Sequence, residues 1–259
     1  MHKILIIGET CVDEYVFGTC NRVCPEAAAL CFTRNDDIIT KNNLGMAGNV
    51  HANMVALCSD AQIDILTNNK DTDKTIIKRR YVDQRYNTIV FREDINDKSD
   101  RIIFDDTNFN QYDAIIISDY DKGFLHQDDY KEISSRASDK TIIFADTKKK
   151  ITDKIYENVD FLKINYSEYI NNISKTTKLL DYCELIVTKG SEGACLYSKN
   201  IKTEFPIDFV EIRDVCGAGD TFLAGLVSRY INSHDLIESI NYANTIAGQV
   251  VKKFGVVLP

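Results

Sequence analysis

One stretch in the last quarter of the chain, 214–220, combines two carboxylates with three small residues. The small residues Gly217, Ala218 and Gly219 let the backbone turn tightly, and the apolar residues after them predict a helix that starts there. N–H groups in the first turn of a helix lack intrahelical partners, so they form a site for an anion. A carboxylate at Asp220 is badly placed to bind phosphate but well placed to deprotonate a hydroxyl that attacks phosphate. The stretch therefore predicts a small-molecule kinase.

Two other glycine-containing phosphate motifs do not fit the chain. A dinucleotide fingerprint needs a third glycine where this chain has Phe222, and the sequence contains no Gly-x-x-x-x-Gly-Lys-Ser/Thr loop. A plain helix start without function stays open as a second interpretation of the Gly-Ala-Gly turn. The aspartates at each end of the turn favour the functional interpretation.

Several apolar runs that end in polar residues must position this turn. Continuous apolar strands with polar ends predict a parallel sheet that is covered on both faces, with the site along the strand ends. The first run ends at Gly8, shortly before Asp13, which would lie at a ligand-binding strand end or simply form a turn. The later runs are 113–120, 140–148, 161–165 and 184–190.

Composition limits the class of protein. The chain has 259 residues, of which 44% are hydrophobic, which suits one α/β domain with a small appendage. A formal charge of −8 argues against a general binder of nucleic acid or anionic membranes, but it allows a local basic pocket. No apolar run reaches the ~20 residues that span a bilayer, and the first residues lack a signal-peptide pattern. We therefore expect a cytoplasmic protein without nucleic-acid or membrane partners.

The eight cysteines form no Cys-x-x-Cys pair. Cys20 and Cys24 are close in sequence but have no second pair to complete a zinc site. Reduced cysteines that serve as small apolar residues are the favoured interpretation, with a metal or redox role as the alternative.

Two β-rich runs, 75–82 and 88–94, are joined by a short polar segment and predict a hairpin. Its arginines suit a phosphate group on a substrate, because a guanidinium can bind phosphate through two hydrogen bonds. Arginines on a hairpin can equally face water. The four are Arg79, Arg80, Arg85 and Arg92.

Asp-x-x-Gly-Ala-Gly-Asp at 214–220 resembles the C-terminal signature of the ribokinase-like (PfkB) carbohydrate kinases, and the resemblance continues in the family's order from Gly8 to Gly255. It implies a three-layer α/β/α domain over 1–259 with a mostly parallel sheet. It also implies a small β lid, from about 14–40 and 75–95, that covers the sugar and forms a homodimer contact. In that family the last aspartate, here Asp220, is the catalytic base, and the N–H groups of Gly217, Ala218 and Gly219 stabilise the transferring phosphoryl group.

Asp13 and Tyr15, the segment 22–27 and the motif at 118–123 resemble one subgroup, the heptose-phosphate kinases that supply ADP-heptose. The resemblance implies ATP-dependent phosphorylation of the anomeric hydroxyl of D-glycero-D-manno-heptose 7-phosphate. The implied substrate-binding residues are Asp13, Gly45, Asn49, Arg79, Arg92, Asp119, Lys122, Lys148 and Asp220.

The segment 44–53 resembles the family's Gly-Gly-Ala-x-Asn substrate loop, with Met46 in place of the second glycine. If that position needs a positive φ angle, methionine is strained there. Asn49 is the candidate for binding a sugar hydroxyl, and a helix N-cap is its alternative role.

The resemblance also implies a nucleotide site with ATP and Mg²⁺, and it leaves a monovalent cation open. The pair Asn165 and Glu168 would organise hydrated magnesium, with Glu168 acting through water, because Mg²⁺ needs few protein ligands. A helix-capping pair explains the same two residues equally well, and Asn244 could simply lie at the polar edge of a core helix. The implied nucleotide-binding residues are Asn165, Glu168, Thr188, Gly190, Gly193, Asp214, Gly217, Gly219 and Asn244.

Two alternatives remain at this stage. A kinase for another sugar, sugar phosphate or nucleoside would keep Asp220 and the anion site but change Asp13, Asn49 and the lid. A regulatory protein that has lost catalysis would bind ATP without turnover. The best-known heptose kinases continue into a nucleotidyltransferase domain, whereas this sequence stops at Pro259, so we expect at most the kinase step.

Overall fold

The computed structural model describes residues 1–34, 41–68, 74–172, 176–199 and 201–259. The strands in these ranges are β1 (Lys3–Gly8), β2 (Thr10–Val23), β3 (Leu30–Arg34), β4 (Lys41–Met46), β5 (Gln62–Leu66), β6 (Ile76–Asp83), β7 (Thr88–Ile95), β8 (Ala114–Asp119), β9 (Ile142–Thr147), β10 (Phe161–Asn165), β11 (Glu184–Thr188), β12 (Ala194–Ser198) and β13 (Ile201–Phe205). The helices are α1 (Ala47–Leu57), α2 (Gln127–Arg136), α3 (Asp153–Tyr156), α4 (Tyr166–Asn172), α5 (Thr176–Leu179), α6 (Ala218–Ser233) and α7 (Leu236–Val250).

The main sheet has the strand order β13-β12-β11-β10-β9-β8-β1-β5. The six strands β11, β10, β9, β8, β1 and β5 pair in parallel with their neighbours. Strands β12 and β13 extend the sheet beyond β11 as an antiparallel edge. The continuous apolar runs of the sequence form these buried parallel strands. The predicted α/β class with a mostly parallel sheet is therefore confirmed.

Helices cover both faces of this sheet, which gives three layers. Alternate side chains of β1 enter two different cores: Leu5 and Ile7 pack on the side of α2 and α3, and Ile4 and Ile6 pack on the side of α1, α6 and α7. Both faces of the strand are therefore apolar, as a sheet between two helical layers requires.

The lid is a second sheet with the order β3-β2-β6-β7, and β4 also pairs with β2. The predicted hairpin is present, because β6 and β7 pair antiparallel from Ile77 with Ile95 to Asp83 with Thr88. The other predicted lid segment, about 14–40, corresponds to most of β2 and to β3, while 35–40 lie outside the described residues. The lid joins the main sheet where β1 passes into β2, just before Asp13.

Four of the eight cysteines are buried, as small apolar residues would be: Cys11, Cys58, Cys183 and Cys195. All eight are free thiols, and burial raises the pKa of Cys11 to about 12, so this thiol stays neutral. Within the described ranges, no three His, Cys, Asp or Glu side chains gather into a metal-binding group. None of the helices in those same ranges is long and apolar enough to cross a membrane.

Candidate active site

The turn that opens α6 lies where the parallel strands end. Gly217 precedes the helix with φ 78°, a left-handed conformation that favours glycine. A Cβ atom at Gly217 would also lie only 2.6 Å from the amide nitrogen of Asn49, so a side chain is disfavoured both by the backbone conformation and by this close contact. Asp214 fixes the turn by accepting hydrogen bonds from the N–H groups of Cys216 and Gly255, both at 2.9 Å.

The three N–H groups predicted to bind an anion are not equivalent. The Ala218 N–H donates to the Val215 carbonyl oxygen at 3.2 Å, so this group already has an acceptor inside the turn. Gly219 is exposed in the first turn of α6, where helical N–H groups lack intrahelical acceptors. Of the predicted anion-binding groups, the Ala218 N–H thus already has a partner in the turn, and the anion site itself stays a prediction.

Asp220 is 5% exposed and each of its carboxylate oxygens accepts one hydrogen bond. The Tyr120 hydroxyl donates to Oδ1 at 2.5 Å, and the Asn49 amide donates to Oδ2 at 3.0 Å. Burial raises the pKa of Asp220 to about 6, although both hydrogen bonds oppose that rise. A carboxylate of this kind is mostly ionised at neutral pH and basic enough to accept a proton from a hydroxyl.

The structure gives Asn49 a different partner from the sugar hydroxyl that the sequence suggests. It is 1% exposed, and its amide donates to Asp220 and, at 3.3 Å, to the Gly217 carbonyl oxygen. Its own oxygen accepts from Asn53 at 2.9 Å. Asn49 therefore contacts the Asp220 carboxylate, and its binding of a sugar hydroxyl stays a prediction. It is not an N-cap, because α1 begins at Ala47.

Met46 has φ 58°, so the position does require a positive φ angle and the methionine is strained there. Its side chain is 3% exposed and packs with Cys11 and Ile76. Gly45 has a different role, since a Cβ atom there would lie 2.1 Å from the Asp13 carboxylate. The absence of a side chain at 45 makes room for Asp13.

A cavity of about 410 Å³ lies between the lid and Asp220, and we refer to it as the charged cavity. Two carboxylates, Asp13 and Asp220, line it. The cations that line it are Lys78, Arg80, Arg92, Lys122 and Lys148. The lid and the ends of the main sheet thus bring five positive charges together in a protein whose formal charge is −8.

Arg79 does not join this group, which corrects the sequence assignment. It pairs with Glu14 at 2.6 Å and Glu93 at 3.2 Å on the other face of the lid. Side chains alternate between the faces of a strand, so Lys78 and Arg80 reach the cavity and Arg79 does not. Arg80 forms an ion pair with Asp13.

Asp119, another residue assigned to the substrate, is buried and does not line the charged cavity. It is 0% exposed and accepts from the Tyr130 hydroxyl at 2.9 Å and the Lys149 ammonium at 2.8 Å. The next residue, Tyr120, lines the charged cavity instead. Lys122 also lines it and pairs with Asp97 at 2.5 Å.

A buried ion pair that the sequence did not reveal lies behind the turn. Lys163, in the middle of β10, pairs with Asp146 at 2.5 Å, and both are almost fully buried. A Cβ atom on Gly219 would lie 3.2 Å from the Lys163 nitrogen, so this cation lies beside the anion site. A lysine inside an otherwise apolar strand is the one sequence signal that could have identified it.

A second cavity of about 460 Å³, the apolar cavity, lies on the other side of the turn. Ala218 and Gly219 line it, together with Phe222, Ala247 and Val251. Besides Gly219, four residues assigned to the nucleotide line it: Thr188, Gly190, Gly193 and Asn244. The Asn244 amide donates to the Phe205 carbonyl oxygen at 3.1 Å, so this residue also ties α7 to β13.

Asn165 and Glu168 form the capping pair that the sequence left open. The Glu168 carboxylate accepts from the Asn165 N–H at 2.8 Å, and the Asn165 oxygen accepts from the Glu168 N–H at 2.9 Å. Lys148 also contacts Glu168 at 2.7 Å, and it lies 3.6 Å from Asp146. Burial favours the neutral amine of Lys148, but these two carboxylates outweigh it and raise its pKa.

A larger cavity, about 640 Å³, opens beside Asn68, Lys74 and the loop 96–100. Neither Asp220 nor the Gly217 turn lines it. Size alone therefore does not select the candidate site, and we select it by the buried carboxylate of Asp220.

The chain matches known proteins over most of its length. Residues 42–259 match the pfkB family carbohydrate kinases. A bifunctional protein HldE from a Nitratiruptor species is 27% identical over 296 aligned positions, which cover 98% of this chain but 62% of that protein. A ribokinase from Thermotoga maritima superposes with a TM-score of 0.74 at 17% identity, covering 99% of this chain and 95% of the other. An Arabidopsis thaliana ribokinase, solved with ribose and ATP, has a TM-score of 0.71 at 13% identity, with 98% and 94% covered.

The two structural likenesses, at such low identity, show the fold, which is ribokinase-like. A buried carboxylate beside a glycine turn, between two cavities, is an arrangement suited to phosphoryl transfer to a hydroxyl. The chain belongs to the pfkB family of carbohydrate kinases and is a sugar kinase, a phosphotransferase that acts on an alcohol group.

Proposed function

We propose that this protein phosphorylates the anomeric hydroxyl of a sugar that already carries a phosphate, with D-glycero-D-manno-heptose 7-phosphate as the acceptor and ATP as the donor. The observation that carries this proposal is the set of five cations in the charged cavity beside Asp220. The step would belong to ADP-heptose biosynthesis. The sequence resemblance at Asp13, Tyr15 and 118–123 supports the choice of heptose.

The electrostatics of the cavity support a phosphorylated acceptor. Burial lowers the pKa of Lys78, and the nearby charge of Arg92 lowers it further. A bound phosphate would relieve both effects, because it supplies negative charge and hydrogen-bond acceptors to desolvated cations. Each cation already has a carboxylate neighbour, such as Asp97 at 3.8 Å from Lys78 and Asp94 at 2.6 Å from Arg92, so a phosphate would add to these pairs, whereas an uncharged sugar would bring no further negative charge.

Asp220 takes the proton of the anomeric hydroxyl in this proposal, while that oxygen attacks the terminal phosphorus of ATP. The glycine N–H groups at the start of α6 and the Lys163 ammonium stabilise negative charge on the transferring group. The bond to the ADP oxygen breaks as the new P–O bond forms, so ADP leaves with the electron pair. The lid would exclude water that could otherwise accept the phosphoryl group.

Magnesium fits the residues present only as an ion held mainly by nucleotide phosphates and water. The Glu168 oxygens already accept hydrogen bonds from Asn165 and contact the Lys148 ammonium, so Glu168 would reach the ion through a water of its hydration shell. Mg²⁺ keeps several waters and needs few protein ligands. When bound, it neutralises charge on the nucleotide phosphates.

We also propose that the outer face of the lid pairs with a second copy of the chain. Phe32, Tyr81 and Phe91 form a row of contacting rings, with centroids 5.3 and 5.7 Å apart. Phe91, on the edge strand β7, is 60% exposed, and Val23 and Leu30, which pair with each other on β2 and β3, are exposed as well. Sedimentation of the wild type should show a dimer, and Phe91→Glu should show a monomer; a monomeric wild type would refute this contact.

The test of the acceptor is ADP release from Mg-ATP over heptose 7-phosphate, fructose 6-phosphate, ribose and adenosine, with Asp220→Asn as the control. Turnover restricted to heptose 7-phosphate and lost in the variant supports the proposal. Turnover on another acceptor keeps the kinase mechanism and rejects the heptose. Binding of ATP without turnover on any acceptor favours a regulatory protein.

A further inference from the structure

We propose that Tyr120 is a positioning residue that holds the Asp220 carboxylate in its reactive orientation. Tyr120 directly follows β8, and its hydroxyl donates to Oδ1 of Asp220 at 2.5 Å. Asn49 holds the other oxygen at 3.0 Å. The two donors fix the plane of the carboxylate, and each oxygen keeps a second lone pair for the acceptor hydroxyl.

Tyr120 is itself held on both sides. Its N–H donates to the buried Glu9 carboxylate at 2.8 Å, and the Glu9 carboxylate also accepts from the Lys122 N–H at 2.9 Å. The Lys148 ammonium lies 5.7 Å from the centre of the Tyr120 ring, within the range of a cation–π contact. The hydroxyl therefore reaches Asp220 from a backbone segment with little freedom to move.

The tyrosine can only act as a donor here. Burial, and then the charge of Asp220, raise the Tyr120 pKa well above its ordinary value, so the hydroxyl stays protonated. A hydrogen bond to the ionised form of a carboxylate lowers its pKa. Tyr120 thus opposes the burial that raises the pKa of Asp220 to about 6 and keeps the base ionised at neutral pH.

Other charged groups also face Asp220 and set the background for this effect. Asp146 raises the Asp220 pKa, and Lys163 lowers it. Lys148 and the neutral thiol of Cys11 lie close enough to interact with Asp220. Because Tyr120→Phe leaves all of these groups in place, it isolates the hydroxyl.

The inference rests on Asp220 as the base of the proposed reaction, so its test needs a readout that does not depend on the acceptor. Carbon-13 NMR of labelled aspartate side chains gives the Asp220 titration directly, once its signal is assigned by its loss in Asp220→Asn. We expect a midpoint near pH 6 in the wild type and about one pH unit higher in Tyr120→Phe. Tyr112→Phe is the matched control, because Tyr112 donates to the Asp64 carboxylate at 3.0 Å outside the site.

The acid limb of kcat/KM for an accepted sugar should move by the same amount in Tyr120→Phe and stay in place in Tyr112→Phe. The direction follows from the base: protonated Asp220 is inactive, so a higher pKa moves the loss of activity to higher pH. If Tyr120→Phe fails to fold, Tyr120→Met removes the same hydroxyl. An Asp220 titration that is unchanged in the folded variant overturns the inference. Absence of turnover in the wild type would count against the proposed acceptor, and the titration would still decide the role of Tyr120.

Discussion

The two cavities meet at the same turn, but they offer opposite chemistry. The charged cavity presents five cations and two carboxylates, most of them on the lid or at strand ends. The apolar cavity presents backbone, small residues and apolar side chains such as Phe222 and Val251. A charged ligand group is recognised by fixed charges, whereas a flat apolar one is recognised by shape and burial. If the acceptor binds in the charged cavity and the nucleotide in the apolar one, as proposed, choice of acceptor depends on lid side chains and nucleotide binding depends on loops and glycines.

The largest effect is expected at the boundary between the cavities. Asp220→Asn removes the base but keeps the shape of the side chain and a hydrogen-bond acceptor for Asn49. We expect kcat to fall on the order of 10²–10⁴-fold, with the Kd for ATP unchanged, measured by ADP release and by calorimetry.

Stability provides the control for that variant. Burial raises the Asp220 pKa from 3.8 to about 6. Between about pH 4 and pH 6 the unfolded chain has released this proton while the folded protein still holds it. The wild type therefore loses stability as the pH rises through this range. Asp220→Asn lacks this loss and should be at least as stable as the wild type at pH 7. A variant that is much less stable at pH 7 would show that its inactivity reflects unfolding.

A smaller effect separates the two faces of the lid. Arg92→Ala removes a cation from the charged cavity, and Arg79→Ala removes one from the opposite face. We expect the KM for a phosphorylated acceptor to rise about tenfold in Arg92→Ala. This is at the low end of the free energy that a hydrogen bond to a charged group contributes, because Arg92 is partly exposed. Arg79→Ala should leave this KM unchanged. Equal effects of the two variants would contradict the assignment of the faces.

The smallest effect concerns the apolar cavity. A Cβ atom on Gly193, which has φ 84°, would lie 2.1 Å from the Phe205 carbonyl oxygen, so Gly193→Ala must shift backbone that lines the cavity. We expect the KM for ATP to rise about tenfold, equivalent to about 1.4 kcal/mol, with the KM for the sugar unchanged.

Gly190→Ala is the matched control. Gly190 also has a positive φ, but no atom lies within 4 Å of an added Cβ. Only the left-handed strain of about 1–2 kcal/mol should appear, as lower thermal stability. Similar KM values for ATP in the two variants would show that the collision at 193 does not reach the nucleotide.

The sequence was sufficient for the fold because the fold depends on local patterns. Apolar runs with polar ends became β8 to β11, and the small residues at 217–219 became the start of α6. The conditional expectation for Met46 also held, since its φ is positive. Each of these features follows from residues that are neighbours in the chain.

The site was only partly predictable, because its contacts join distant segments. Tyr120 and Asp220 are separated by 100 residues, and nothing local to either one indicates their hydrogen bond. Arg79 and Arg80 have the same chemistry, and only the pairing of β6 with β2 and β7 decides which one faces the cavity. Local spacing could not show that Asn49 would hold the base, because that depends on how α1 packs on α6.

The most direct test of the central claim is the ratio of kcat/KM for heptose 7-phosphate to that for the same heptose without its phosphate. A charged cavity that binds a phosphate on the acceptor predicts a preference of about 10²-fold or more for the phosphorylated sugar, in line with several charge-assisted hydrogen bonds. Arg92→Ala should reduce that preference, and Arg79→Ala should preserve it. Equal turnover of the two sugars, or a preference for the one without phosphate, would contradict the account.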